Sequence, residues 1–263
     1  MRKTLLVLCV LLGLATLGQA QQSAQAEQEL FRLMNQDRAQ AGLGALEWNQ
    51  WLAQAARDHC QEMVKRGQLS HQFPGEPGVR DRIAATQLRF NVSGENVAFG
   101  PSAAEVNDGW MHSPGHRANI LKSKYDAVGV AVIRSGTVVY AVADFAHTLP
   151  AQTAGDIEDE VATAVNRRQA EEKRQPLPRR EYPALRGFAC DMAKQNKVNA
   201  NSLLGKNNIT ATLAFTDSDP SQVGGHVRQA GDLSGFRSFA VGSCFARNHQ
   251  YPEGTNWVVV VFY

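Results

Sequence analysis

Two β-rich runs, residues 127–134 and 137–145, are separated only by Ser135-Gly136, a spacing that closes a hairpin and leaves no room for a crossover helix. The two strands are therefore antiparallel, and a βαβ arrangement is excluded for this stretch. Helical periodicity precedes them. Leu30, Leu33, Met34 and Ala41 set one apolar stripe that Gly42 ends. Leu52, Ala56, Cys60 and Met63 set a second over residues 48–66, with Gly67 just beyond it. Ser102 and Glu105, after Pro101, have capping-box spacing and open a third helix toward Trp110. Helices interleaved with an antiparallel sheet predict an α+β sandwich.

Residues 1–20 read as a secretory leader: basic Arg2-Lys3, an apolar run from Leu5 to Leu17, then Gly18-Gln19-Ala20. The apolar run is short of the ~20 residues a membrane span needs, so no transmembrane segment is expected in the mature chain. Residues 21–28, rich in Gln and Ala, are expected to be a flexible N-terminus. The full chain has 263 residues, 27 basic and 25 acidic; without Arg2 and Lys3 it holds 25 of each and is neutral. A neutral chain has no global field for steering onto nucleic acid, which excludes that class of partner. Export leaves Cys60, Cys190 and Cys244 in an oxidising compartment, enough for one internal bridge. There is no Cys-x-x-Cys pair, which argues against a zinc ribbon.

Met34-Asn35-Gln36-Asp37-Arg38 with Gly42-Leu43 and Leu46 opens an ordered series of motifs. It continues through Leu69-Ser70-His71, Gly94-Glu95-Asn96-Val97-Ala98 and the stretch from Trp110 to Leu121, and closes with Tyr125 and Val128-Gly129-Val130. The series resembles the CAP superfamily, or SCP domain, of cysteine-rich secretory, antigen 5 and pathogenesis-related 1 proteins, in its bacterial form. The resemblance covers roughly residues 27–147. It implies an α-β-α sandwich with a central cleft.

That cleft carries a His, a Glu, a second Glu and a second His in the family. His71, Glu95 and His116 match three of these positions, while Ser113 stands where the second glutamate belongs, three residues after Trp110. Two imidazoles and a carboxylate make a first shell for Zn²⁺ with water in an open position, so His71, His116 and Glu95 are the expected metal ligands. No catalytic residue is assigned. Glu105 is explained by capping, His59 by core packing, and His112 as a rim residue because Pro114-Gly115 interrupts its helix. Ser70 beside His71 is no dyad, since adjacent residues of an extended strand face opposite ways. Asp144 reads as an isolated acid at an exposed or edge position.

The second half repeats these intervals. Val165-Asn166 precedes Leu177 as Met34-Asn35 precedes Leu46, and Leu185, Ala189 and Met192 repeat the spacing of Ala56, Cys60 and Met63. Ala240-Val241-Gly242 repeats Ala127-Val128-Gly129, and residues 254–262 repeat 136–145. A diverged tandem copy is expected. The boundaries are a CAP/SCP domain over 29–147, a linker at 148–156 and a degenerate CAP-like domain over 157–263. Ala200 and Ala211 fall near the His71 and Glu95 positions, and His226 and His249 have no matching partner, so this half is expected to be structural or partner-binding. Cys190, inward on a helix, and Cys244, on the strand beneath it, are expected to form the bridge, leaving Cys60 free.

The expected function is a secreted binding module whose cleft holds a divalent metal, a small apolar, lipid-like ligand, or both. The alternatives are a metal-dependent hydrolase with Glu95 as base, and an extracellular interaction protein with a vestigial cleft that meets a protein or cell-envelope partner.

Overall fold

The structure is a computed structural model; it describes the backbone of residues 2–263 and the side chains from residue 21 onward. The expected leader at 1–20 lies outside the described side chains. The chain divides into two compact units, residues 1–148 and 149–263.

The first unit runs α1 (Arg2–Gln40), β1 (Glu47–Trp48), α2 (Gln50–Arg66), α3 (Val79–Ala85), β2 (Phe90–Gly100), α4 (Ala103–His112), α5 (Pro114–Ile120), β3 (Ala127–Ser135) and β4 (Val138–Thr148). Its sheet has the order β1-β3-β4-β2, with β3 and β4 forming the expected hairpin and β2 antiparallel to β4. The period-two alternation of β3 sends Val128, Val130 and Val132 to one face, against Leu30, Met34, Val106 and Trp110 of α1 and α4. Ala131 and Val142 face the other way, against Ala56, Cys60 and Met63 of α2. The sheet is thus covered on both faces, an α-β-α sandwich, and each buried large side chain contributes roughly 1.5–3 kcal/mol. Gly129 permits the close approach of α2 to β3, because a Cβ there would overlap the backbone of Leu52 and Ala53.

Local signals explain the helix ends. Asn49 caps α2 by accepting from the amides of Trp51 and Leu52, and Gly67 ends it at φ 63°. Ser102 caps α4 through the Glu105 amide. The helix then breaks at Ser113, and Pro114 starts α5 at a position where its missing N–H costs nothing.

Residues 21–28 are not a flexible lead-in but part of α1. Gln and Ala are strong helix formers, and the segment is anchored by Glu27, which pairs with Arg57 at 3.0 Å and accepts from the Val132 amide. Asp144 is likewise not exposed or at an edge. It lies in β4, flanked by β3 and β2, and is 0% exposed.

The second unit runs α6 (Ala154–Glu171), α7 (Ala184–Gln195), β5 (Ala211–Asp217), α8 (Val223–Gln229), β6 (Phe239–Ala246) and β7 (Thr255–Phe262). Its helix starts at Ala154, earlier than the expected boundary, because Thr153 and Asp156 form a capping box. The sheet order β5-β7-β6 has the same antiparallel pairing as β2-β4-β3. The Leu177 amide donates to Asn166 as the Leu46 amide donates to Asn35, each across 11 residues. Gly242 repeats the constraint at Gly129, since a Cβ there would overlap the backbone of Leu185 and Arg186. The register places Ala214, rather than Ala211, at the Glu95 position: Glu95 lies opposite Asp144, itself opposite Gly129, and Ala214 lies opposite Val259, itself opposite Gly242. Cys190 on α7 is bridged to Cys244 on β6 with Cα atoms 5.2 Å apart, while Cys60 is free and buried.

Candidate functional site

His71 lies on the loop between α2 and α3, and the protein fixes that loop from two sides. His59, wholly buried on α2, donates its Nε2–H to the Ser70 carbonyl at 2.7 Å while its Nδ1 meets Glu76 at 2.6 Å. Arg82 of α3 donates to the carbonyls of His71 and Pro77 at 3.3 and 2.9 Å. The Ser70 hydroxyl turns to the Gln72 carbonyl, so Ser70 does no work on the His71 ring.

Glu95 projects from β2 with a side chain only 2% exposed. Its Oε1 accepts from His71 Nδ1 at 2.9 Å, and its Oε2 takes the Arg82 guanidinium in a short ion pair. His71 itself is 60% exposed and keeps Nε2 for the cleft. His116 enters from α5. Asn96 donates to the His116 carbonyl at 3.0 Å, and Asn119 donates to both Asn96 Oδ1 and the Glu95 carbonyl, tying α5 to β2. The two imidazoles face each other with ring centroids 6.5 Å apart, and Trp110 lies 6.4 Å beyond His116.

The two rings differ in proton affinity. The hydrogen bond to Glu95 holds His71 above the ordinary imidazole range, against a smaller effect of burial. Burial, helped by the nearby His71, holds His116 below it. His116 therefore stays neutral where His71 takes up a proton first.

His71, Glu95 and His116 are thus brought together, but Glu95 is not a free ligand, because both its oxygens are engaged. Among the described residues no group of three or more His, Cys, Asp or Glu side chains has the geometry to hold a metal ion. The expected three-ligand shell is corrected on this point: Glu95 stands behind His71 rather than beside it. A carboxylate on the far nitrogen of an imidazole is the usual outer partner of a metal-binding histidine, so two nitrogens backed by Glu95 do fit a cation. The same engagement removes Glu95 as a general base facing substrate.

The remaining candidates lie apart. Glu105 is exposed at the start of α4, and His112 is exposed and bonded to the Asp108 carbonyl. Ser113 supplies no carboxylate. In the second unit His226 is not in a turn but on α8, paired with Asp217 at 2.8 Å and stacked on Phe215. Sequence did not single out Arg82 or Asn119, and it read Asp144, which is buried, as exposed or at an edge. Asn119 stands inside the Trp110–Leu121 motif, whereas nothing in spacing points to Arg82 or to the burial of Asp144.

Residues 31–145 match the profile of the cysteine-rich secretory protein family, CAP. The first unit is a CAP domain. The chain is similar to two Bacillus subtilis proteins: the uncharacterized membrane protein YlbC, 35% identical over 113 residues, and the uncharacterized protein YkwD, 32% identical over 113 residues. Those matches cover 41% and 43% of this chain, and 32% and 44% of the two relatives, so the chain spans less than half of each. Among solved structures it is similar to an extracellular SCP-domain protein from Bacillus anthracis, with 27% identity and a TM-score of 0.46 over 49% of this chain and 43% of the other. Among the described residues no helix is long and apolar enough to cross a membrane.

Proposed function

We propose that this CAP domain is an extracytoplasmic binding module whose cleft takes one divalent cation, preferably Zn²⁺, between His71 and His116. The observation that carries the reading is the His71 Nδ1 to Glu95 Oε1 bond at 2.9 Å, locked from behind by Arg82. It fixes the tautomer that offers Nε2 to a ligand and raises the basicity of that nitrogen. Two protein nitrogens leave further coordination positions to water or to an exogenous ligand, so the affinity is modest. The Cys190–Cys244 bridge supports an oxidising compartment. A hydrolase is disfavoured, because Glu95 is buried in an ion pair and Ser113 removes the second carboxylate. The charged and polar side chains around His71 disfavour a lipid-like ligand at this point.

The shared sheet order, the Asn166–Leu177 bond and Gly242 support reading the second unit as a diverged copy without the cleft acid, serving a structural or partner-binding role. Calorimetric titration of the purified chain with Zn²⁺ tests the cleft reading. One site per chain, lost in the His71→Ala/His116→Ala double variant, is expected; undiminished binding in that variant would overturn it.

A further inference from the structure

Asp144 lies directly opposite Glu95 across β4 and β2, and directly opposite Gly129 across β4 and β3. All three positions point to the sheet face that α2 covers, and Gly129 lets the α2 backbone close over them. Asp144 is wholly buried, and neither of its carboxyl oxygens accepts a hydrogen bond from any donor among the described residues. The charged groups that act on it are Glu95 and the Arg82 guanidinium that pairs with Glu95; His59 lies 3.9 Å from Glu95 and is itself bonded to Glu76. Arg82 is already neutralised by Glu95. An ionised Asp144 would thus be a second buried carboxylate with no cation of its own, which the poor dielectric disfavours. A neutral carboxyl there instead has one hydroxyl to donate and one acceptor-only neighbour to receive it.

We propose that Asp144 is a positioning residue of the cleft: it donates its carboxyl O–H to the Glu95 carboxylate and thereby fixes the plane in which Glu95 holds His71. Glu95 is then held by three donors, His71 Nδ1, Arg82 and the Asp144 hydroxyl, each from a different element. Burial and the Glu95 charge both push the Asp144 carboxyl well above the carboxylate range, in agreement with that accounting.

The test needs no metal, so it stands or falls independently of the cation reading. In the metal-free chain, infrared spectroscopy at neutral pH is expected to show the C=O band of a buried protonated carboxyl, absent in Asp144→Asn. Nitrogen-15 NMR is expected to show His71 fixed as the Nδ1–H tautomer in the wild type. Asp144→Asn, whose amide N–H can donate in place of the hydroxyl, should retain that tautomer, and Asp144→Ala should shift the tautomer ratio severalfold toward Nε2–H. No protonated-carboxyl band in the wild type would overturn the proposal, as would an unchanged His71 tautomer in Asp144→Ala or a loss of the tautomer in Asp144→Asn. If Asp144→Ala does not fold, the infrared comparison of wild type and Asp144→Asn decides alone.

Discussion

Arg82 closes a buried ion pair on the oxygen of Glu95 that does not face His71. The side chains of both residues are almost wholly buried, so removing the cation strands the carboxylate in a poor dielectric. Arg82→Met is expected to cost about 3–5 kcal/mol in urea unfolding near neutral pH. The loss should be smaller near pH ~5, where His71 is protonated and supplies the missing charge. An equal loss at both pH values would show that His71 does not supply the missing charge.

The Asp144 carboxyl has a raised proton affinity in the folded chain, the opposite of a salt-bridged acid. Its cost is absent at low pH, where folded and unfolded chains are both protonated there. The cost appears as pH rises above the ordinary carboxylate range and grows until the folded carboxyl itself would ionise. Asp144→Asn should therefore gain stability over wild type with rising pH, by up to about 1.4 kcal/mol per pH unit. Thermal melts from pH ~4 to ~8 check this, and a pH-independent difference would contradict it.

Close helix-to-sheet approach depends on one glycine in each unit. Gly129→Ala should destabilise the first unit by roughly 3 kcal/mol, because α2 must move off β3. Gly242→Ala should do the same to the second unit through Leu185. Denaturant melts that leave either variant at wild-type stability would refute the packing described.

The Cys190–Cys244 bridge spans 54 residues of the second unit. The chain-entropy treatment gives about 4 kcal/mol for a loop of that size. Replacing both cysteines by alanine should lower the melting transition of the second unit while Zn²⁺ binding persists, measured by calorimetry on one sample. Loss of Zn²⁺ binding in that variant would place the cation in the wrong unit.

Much of this arrangement was legible in the sequence because it rests on short-range rules. The Gly42 and Gly67 helix ends and the Leu52–Met63 stripe are local, and each stands where its spacing put it, while the hairpin turn falls one residue later than expected, at Gly136-Thr137. The convergence of His71, Glu95 and His116 followed from family resemblance and not from spacing, since they come from a loop, a strand and a helix. The sequence could not show how Glu95 is used, because Arg82 reaches it from a separate short helix. Asp144 was misread for a related reason. The last strand in sequence of the first unit is central in its sheet, and strand order is invisible to a period-two pattern. Residues 21–28 were misread because Gln and Ala suit a solvated tail and a helix equally, and only Glu27 meeting Arg57 decides between them.

The central claim is that His71 and His116 together hold the cation while Glu95 acts from behind. Nitrogen-15 NMR of the purified chain during Zn²⁺ titration measures it residue by residue. The account predicts that the ring nitrogens of His71 and His116 shift together and saturate at one ion per chain, while His226 and His249 do not move. Affinity should fall as pH drops, beginning above the usual histidine pKa of ~6.5, because Glu95 makes His71 the first ring to take a proton. Glu95→Gln should weaken binding about 10–100-fold without abolishing it. Shifts confined to one of the two rings, or appearing at His226, would contradict the account.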